Sequence, residues 1–152
     1  MPNAPVVLFV VQIAAAGLYA GAAYGLWRAT RATARPGGSL GLATAGLVLH
    51  TAALAGQIYA GSGQLNLDLA YALSLFLWLA VAQFLLGTLY IPVQMLGMGL
   101  LPLAGAVLLV EAFTPTGDSL VIDLARPALL AHLVVSLLAY GTLTLAALQA
   151  VL

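Results

Sequence analysis

The chain has 152 residues, 64% hydrophobic and 5% charged, with four basic and four acidic side chains that cancel to a net charge of zero. Average proteins carry about 25% charged residues, so this composition excludes a soluble globular domain, and the absence of a basic excess excludes a nucleic-acid partner. The absence of Cys excludes disulfides, thiolate metal sites, thiol catalysis and covalent haem attachment to this chain.

The first apolar run, inside "MPNAPVVLFVVQIAAAGLYAGAAYGLW", has no positive residue before it and outlasts a signal-peptide core. It reads as a retained transmembrane helix near residues 5–27. Gly17, Gly21 and Gly25 follow one another at four-residue spacing, a pattern that predicts close packing of this helix on another. Gln12, Tyr19 and Tyr24 are its polar positions, and spacing selects none of them. The next segment, "RATRATARPGGS", gathers Arg28, Arg31 and Arg35, three of the four basic residues. The positive-inside rule makes this loop cytoplasmic and puts the N-terminus outside.

A second helix is expected near 40–60. It places His50 at mid-membrane, with Gln57 two turns later on the same face. An imidazole at that depth either hydrogen-bonds to a neighbouring helix or serves as a ligand or proton relay, and the sequence leaves both open. After "AGSGQLNLD", on the outer side, a third helix is expected near 69–90, with Tyr71, Ser74 and Trp78 on one face. Packing and interfacial anchoring are the plain reading of such aromatics. Asp68 fits an N-cap or a surface charge.

A tight turn around Pro92 leads to a fourth helix near 94–112, in which Pro102 predicts a kink. Alternation places Asp68, Glu111, Asp118 and Asp123 at or beyond the outer interface. The fifth helix, near 127–152, carries His132, Ser136, Tyr140 and Thr144 at four-residue steps, a stripe expected to face the protein interior because unpartnered polar groups are costly in hydrocarbon. The whole is a single all-α, polytopic transmembrane domain over residues 1–152, with five spanning helices. It has no H-E-x-x-H, G-x-S-x-G, glycine-rich phosphate loop or carboxylate pair within a span, so no catalytic set can be named.

In order and spacing, "AHLVVSLLAYGTLTLAALQA" resembles the His-x-x-x-Ser-x-x-x-Tyr helix of the cytochrome c assembly, or haem-handling, membrane proteins. "LNLDLAYALSLFLWL" is similar to their preceding Ser-x-x-x-Trp helix, and "PVQMLGMGLLPLAGAVLL" to the segment between. The nearest branch is the short bacterial inner-membrane YpjD-like proteins, whose second-helix "LH" matches His50. The resemblance implies haem as cofactor, with His132 and His50 as iron ligands and Ser74, Trp78, Ser136 and Tyr140 lining the site. It further implies membrane lipid, other transmembrane subunits and apocytochrome c or another assembly factor as partners. The tryptophan-rich "WWD" segment of the synthetases is absent from this chain. Family members also continue for several helices past "AALQA", so the chain is expected to be either the first half of a longer one or a half-length relative that needs a partner to complete the site. Two other readings stay open, a structural or accessory subunit of a larger membrane complex and a cation-transport component. The last wants a carboxylate inside the membrane, where the sequence places none.

Overall fold

A computed structural model describes residues 4–32, 37–60, 65–67, 69–114, 120–122 and 127–151. In chain order it contains α1 (Ala4–Ala32), α2 (Gly37–Ala60), β1 (Leu65–Leu67), α3 (Leu69–Thr88), α4 (Leu96–Phe113), β2 (Leu120–Ile122) and α5 (Pro127–Val151). All five helices are long and apolar enough to cross a membrane. The shortest, α4 at 18 residues, spans about 27 Å at about 1.5 Å per residue, close to the thickness of a hydrocarbon core. Each lies within a few residues of the position expected from hydropathy, and α4 runs unbroken through Pro102.

Four helices close a ring: α1 packs on α2 and α4, α4 on α3, and α3 on α2. Outside the ring, α5 rests on α3 with a lighter contact to α4. The antiparallel pair β1–β2, with Leu65 opposite Ile122 and Leu67 opposite Leu120, ties the α2–α3 and α4–α5 connections together. Sequence reading did not predict these strands. Their pairing puts both connections at one end of the bundle, as alternation of the spans requires. Asp68, Asp118, Asp123, Arg35 and Arg126 lie outside the described residues.

The ring is held by small residues on α1. Gln12, Ala15, Ala16, Tyr19, Ala22, Ala23 and Leu26 are its buried positions, a three-and-four-residue repeat that gives one inward stripe. Alanines at four of the seven let α2 and α4 approach from both sides. At the end of the bundle holding the Pro92 turn the stripe meets Leu77, Val81, Phe84, Leu96, Leu100 and Leu101 in a wholly apolar cluster.

The glycine expectation fails, for a local reason. Gly17 and Gly21 are exposed, with open space or only Leu42 at 3.8 Å where a Cβ would stand, and only Gly25 is tight, against Ser39. Close approach occurs instead at Gly46, Gly97 and Gly105, where an added Cβ would meet the Tyr19 ring at 2.8 Å, Leu26 at 2.6 Å and the Ala16 carbonyl oxygen at 3.4 Å. The small residues that matter on α1 are its alanines, on the side of the helix away from Gly17 and Gly21.

The α5 stripe is likewise corrected. His132 and Tyr140 are exposed, while Ser136 and Thr144 are half-buried. The only buried residue of α5 is Gly141, which is followed on the same face by the partly buried Leu145 and Leu148. Gly141 sets this orientation by admitting the Gln83 side chain of α3, whose Nε2 donates to the Leu138 carbonyl at 3.0 Å and to Thr142 Oγ1 at 3.4 Å. Nor does a hydroxyl on a helix need an interior face: Thr144 donates to the Tyr140 carbonyl at 2.9 Å and so satisfies itself.

Candidate functional site

The six residues implied by the haem resemblance divide into two groups. His50, Ser74 and Trp78 meet in the seam between α2 and α3. His132, Ser136 and Tyr140 stay on α5, outside the ring.

The first group is built around His50, which is fully buried. Its Nε2 lies 3.0 Å from Ser74 Oγ and its Nδ1 lies 3.2 Å from Tyr19 Oη. Tyr19 and Ser74 are themselves at 0% exposure, so three helices contribute one polar group each to a dry centre. The sequence arranges this simply. Gly46, one turn before His50, leaves room for the Tyr19 ring against the α2 backbone, which carries the phenol oxygen onward to the imidazole. Trp78, one turn after Ser74, donates its indole N–H to Thr51 Oγ1 at 2.8 Å. Thr51 in turn donates to the Leu47 carbonyl at 2.8 Å.

The polar seam continues along α2 toward the strand pair. The Tyr71 hydroxyl reaches the Leu54 carbonyl at 3.5 Å. One turn further, Gln57 Nε2 donates to the Glu111 carboxylate from the last turn of α4. Glu111 is half-buried, and its carboxylate lies within electrostatic reach of Tyr71. Glu111 lies in the last turn of its span and turns inward onto α2. Sequence reasoning singled out His50, Gln57, Ser74 and Tyr71 and missed Tyr19 and Glu111. The signal for Tyr19 was its place in the alanine stripe of α1. Glu111 is seven residues after Ala104 and three after Leu108, both buried positions on α4, and that spacing points it inward.

The second group is open. His132 is exposed and makes no hydrogen bond among the described residues. Ser136 lies half-buried one turn along, and Tyr140 faces outward at 62% exposure.

These placements test the donor set for haem. Both ring nitrogens of His50 are engaged by hydroxyls in a core with Tyr19, Leu77 and Val81 packed to completion, so His50 does not fit as an iron ligand. His132, exposed and without a hydrogen bond among the described residues, would be able to hold iron through one ring nitrogen. His50 lies inside the ring and His132 on the exposed surface of the helix outside it. No group of three or more His, Cys, Asp or Glu residues able to hold a metal ion occurs among the described residues. Searches of protein-family models, of curated proteins and of solved structures found no match to this chain.

Proposed function

We propose that this chain is a haem-handling membrane protein of the cytochrome c assembly type, acting by ligation and not by bond-making, with His132 as its protein ligand. The observation that supports this reading is the contrast between the two histidines. His50 is satisfied on both ring nitrogens inside the bundle, whereas His132 stands uncommitted on the least covered helix. Bound haem would supply an iron centre whose chemistry an axial imidazole tunes. The part played by this chain is to hold the His132 ring near the start of α5, one turn before the half-buried Ser136. A ligand presented from one exposed helix takes the rest of its pocket from elsewhere, from another membrane subunit or from apocytochrome c itself.

The reading includes an orientation, with the N-terminus and the start of α5 outside and the membrane a bacterial inner membrane. Its support is the cluster formed by Arg28 and Arg31 at the end of α1 and Arg35 shortly after it in the sequence. Arg31 lies 4.1 Å from the Trp27 ring centroid and Arg28 5.9 Å from that of Tyr24, an arrangement suited to a headgroup interface. Single cysteines at positions 33 and 118, labelled from intact cells, test it: reagent should reach 118 and not 33, and the reverse overturns the orientation.

The absorption spectrum of the purified protein tests the haem reading. A Soret band is expected that His132→Ala removes and His50→Gln retains. A colourless protein that co-purifies with another membrane chain would instead establish the accessory-subunit reading. That second reading is favoured by one feature of α5, the exposure of Val134, Val135, Leu138, Tyr140 and Leu143 beside a single buried residue.

A further inference from the structure

The seam between His50 and Glu111 has no part in the haem reading, and its chemistry stands independently of it. Along α2 three polar rungs follow at one-turn intervals. They are Gln57 with Glu111, the Leu54 carbonyl with Tyr71, and His50 between Ser74 and Tyr19. A turn rises about 5 Å, so passage of a proton from one rung to the next requires a water molecule hydrogen-bonded to both. The outer rung holds the one carboxylate of α4, and the inner rung holds a mid-membrane imidazole.

The partners of His50 decide what this arrangement can do. Both are hydroxyls, and a hydroxyl accepts as readily as it donates. Either neutral tautomer and the imidazolium are therefore hydrogen-bonded at the same heavy-atom positions, by rotation of two O–H groups alone. A carbonyl in either place would have fixed the neutral tautomer, and a guanidinium would have excluded the imidazolium. Beyond His50 the seam stops, because the next layers toward the Pro92 turn are Ala22, Ala23, Leu26, Leu77, Val81, Phe84 and Leu101, with no polar side chain.

We propose that this seam is a one-ended proton-uptake site, entered at Glu111 and terminating at His50. A proton held on the Glu111 carboxyl passes by way of the Tyr71 rung to Ser74. The Ser74 hydroxyl gives its own proton to His50 Nε2 and keeps the incoming one. The ring ends as imidazolium, with Nδ1–H donating to Tyr19 Oη and Nε2–H donating to Ser74 Oγ, and Glu111 ends as carboxylate. One proton has moved and net charge is unchanged. The groups in contact with the imidazole are Tyr19 from α1 and Ser74 from α3, while Tyr71 from α3 and Glu111 from α4 lie further along the seam. The two described cations of α1, Arg28 and Arg31, belong to the opposite end. A bound proton at this depth is tolerable because two hydrogen bonds and a carboxylate in the same seam accompany it.

The experiment is time-resolved infrared difference spectroscopy on the full chain in lipid nanodiscs, with His132→Gln as the background so that His50 is the one imidazole, after a jump to about pH 4, well below the usual range of histidine titration. An imidazolium signal is expected that His50→Gln abolishes. Glu111→Gln should slow its rise roughly a hundredfold, the lower end of what a positioned proton-transfer group contributes. Glu111→Asp should restore part of the rate, and Ser74→Ala, a smaller change in the core, should slow it as Glu111→Gln does. Absence of the signal while helix content is retained overturns the proposal. So does an equal rate in the Glu111→Gln protein. The result is read without haem, so its failure leaves the His132 reading untouched.

Discussion

The two ends of the four-helix ring are built on different principles. Toward the Pro92 turn, α1, α3 and α4 meet through Leu26, Phe84, Leu96, Leu100 and Leu101, with Gly97 letting them close. Toward the strand pair the same helices, joined by α2, meet through Tyr19, His50, Ser74, Tyr71, Gln57 and Glu111. In lipid the hydrophobic effect does not separate helix from helix, because the surrounding chains are as apolar as leucine. The first end therefore depends on shape alone, and the second on partners for groups that hydrocarbon cannot solvate. Tight fit makes the first rigid and chemically inert. Exchangeable hydrogen bonds leave the second able to change protonation state without repacking.

The largest expected effect breaks the apolar end. At Gly97 an added Cβ would lie 2.6 Å from Leu26 Cδ1 and 2.7 Å from Phe84 Cζ, both buried with nowhere to move. Gly97→Leu should destabilise the bundle by about 3 kcal/mol, the upper part of the usual range for overpacking. Reversible unfolding in mixed detergent micelles measures it, and a loss below about 1 kcal/mol would show that this end is not shape-limited.

Removing volume at the same end should cost less than in a water-soluble protein. Phe84→Ala opens about 100 Å³, and at about 24 cal/mol per Å³ the cavity term gives about 2 kcal/mol. The transfer term that adds to this in water is nearly absent when the unfolded alternative is lipid. A measured cost near that of soluble cores would argue that this face is hydrated when the bundle opens.

At the polar end each hydrogen bond should be modest. Tyr19→Phe and Ser74→Ala each remove one partner of His50, and membrane hydrogen bonds average about 0.6 kcal/mol in double-mutant cycles. The two changes share one imidazole, so their costs should not add: the double variant leaves the ring without either partner and should exceed the sum. Strict additivity would mean that the two hydrogen bonds act independently of each other.

How much of this contrast was legible beforehand follows from the same physics. Five spans could be placed closely because hydropathy and length are summed over some twenty residues. Which face turns inward depends on single residues, and there two signals misled. Hydroxyls on α5 suggested an interior stripe, but Thr142 and Thr144 satisfy themselves on the carbonyls four residues back. His50 was visible as a mid-span imidazole, yet its Tyr19 partner was not, since an aromatic in a helix reads equally as packing. Glu111 was discounted for lying near the end of a span, although its spacing from Ala104 and Leu108 turns it inward. The glycines of α1 were the strongest sequence pattern and the least informative, because the alanines beside them supply the same smoothness.

The smallest expected effect sharpens that last point. Gly21 is exposed, and a Cβ built there would meet only Leu42 Cδ1 at 3.8 Å, an ordinary van der Waals contact. Gly21→Leu should therefore change stability by less than about 0.5 kcal/mol, with a small gain available because Leu outranks Gly in helix propensity. Gly17→Leu, with nothing within 4 Å of the added carbon, should behave alike. The same micelle unfolding series used for Gly97 provides the measurement. Neutral results at 17 and 21 beside a large loss at 97 would place the close helix contacts of this protein on α4 and on the alanine face of α1. A large loss at Gly21 in detergent-solubilised monomer would contradict the packing of α1 on α2. A loss that appears only in the membrane, where a second chain is available, would assign the glycine line to a contact between chains, since the bundle itself leaves that line uncovered.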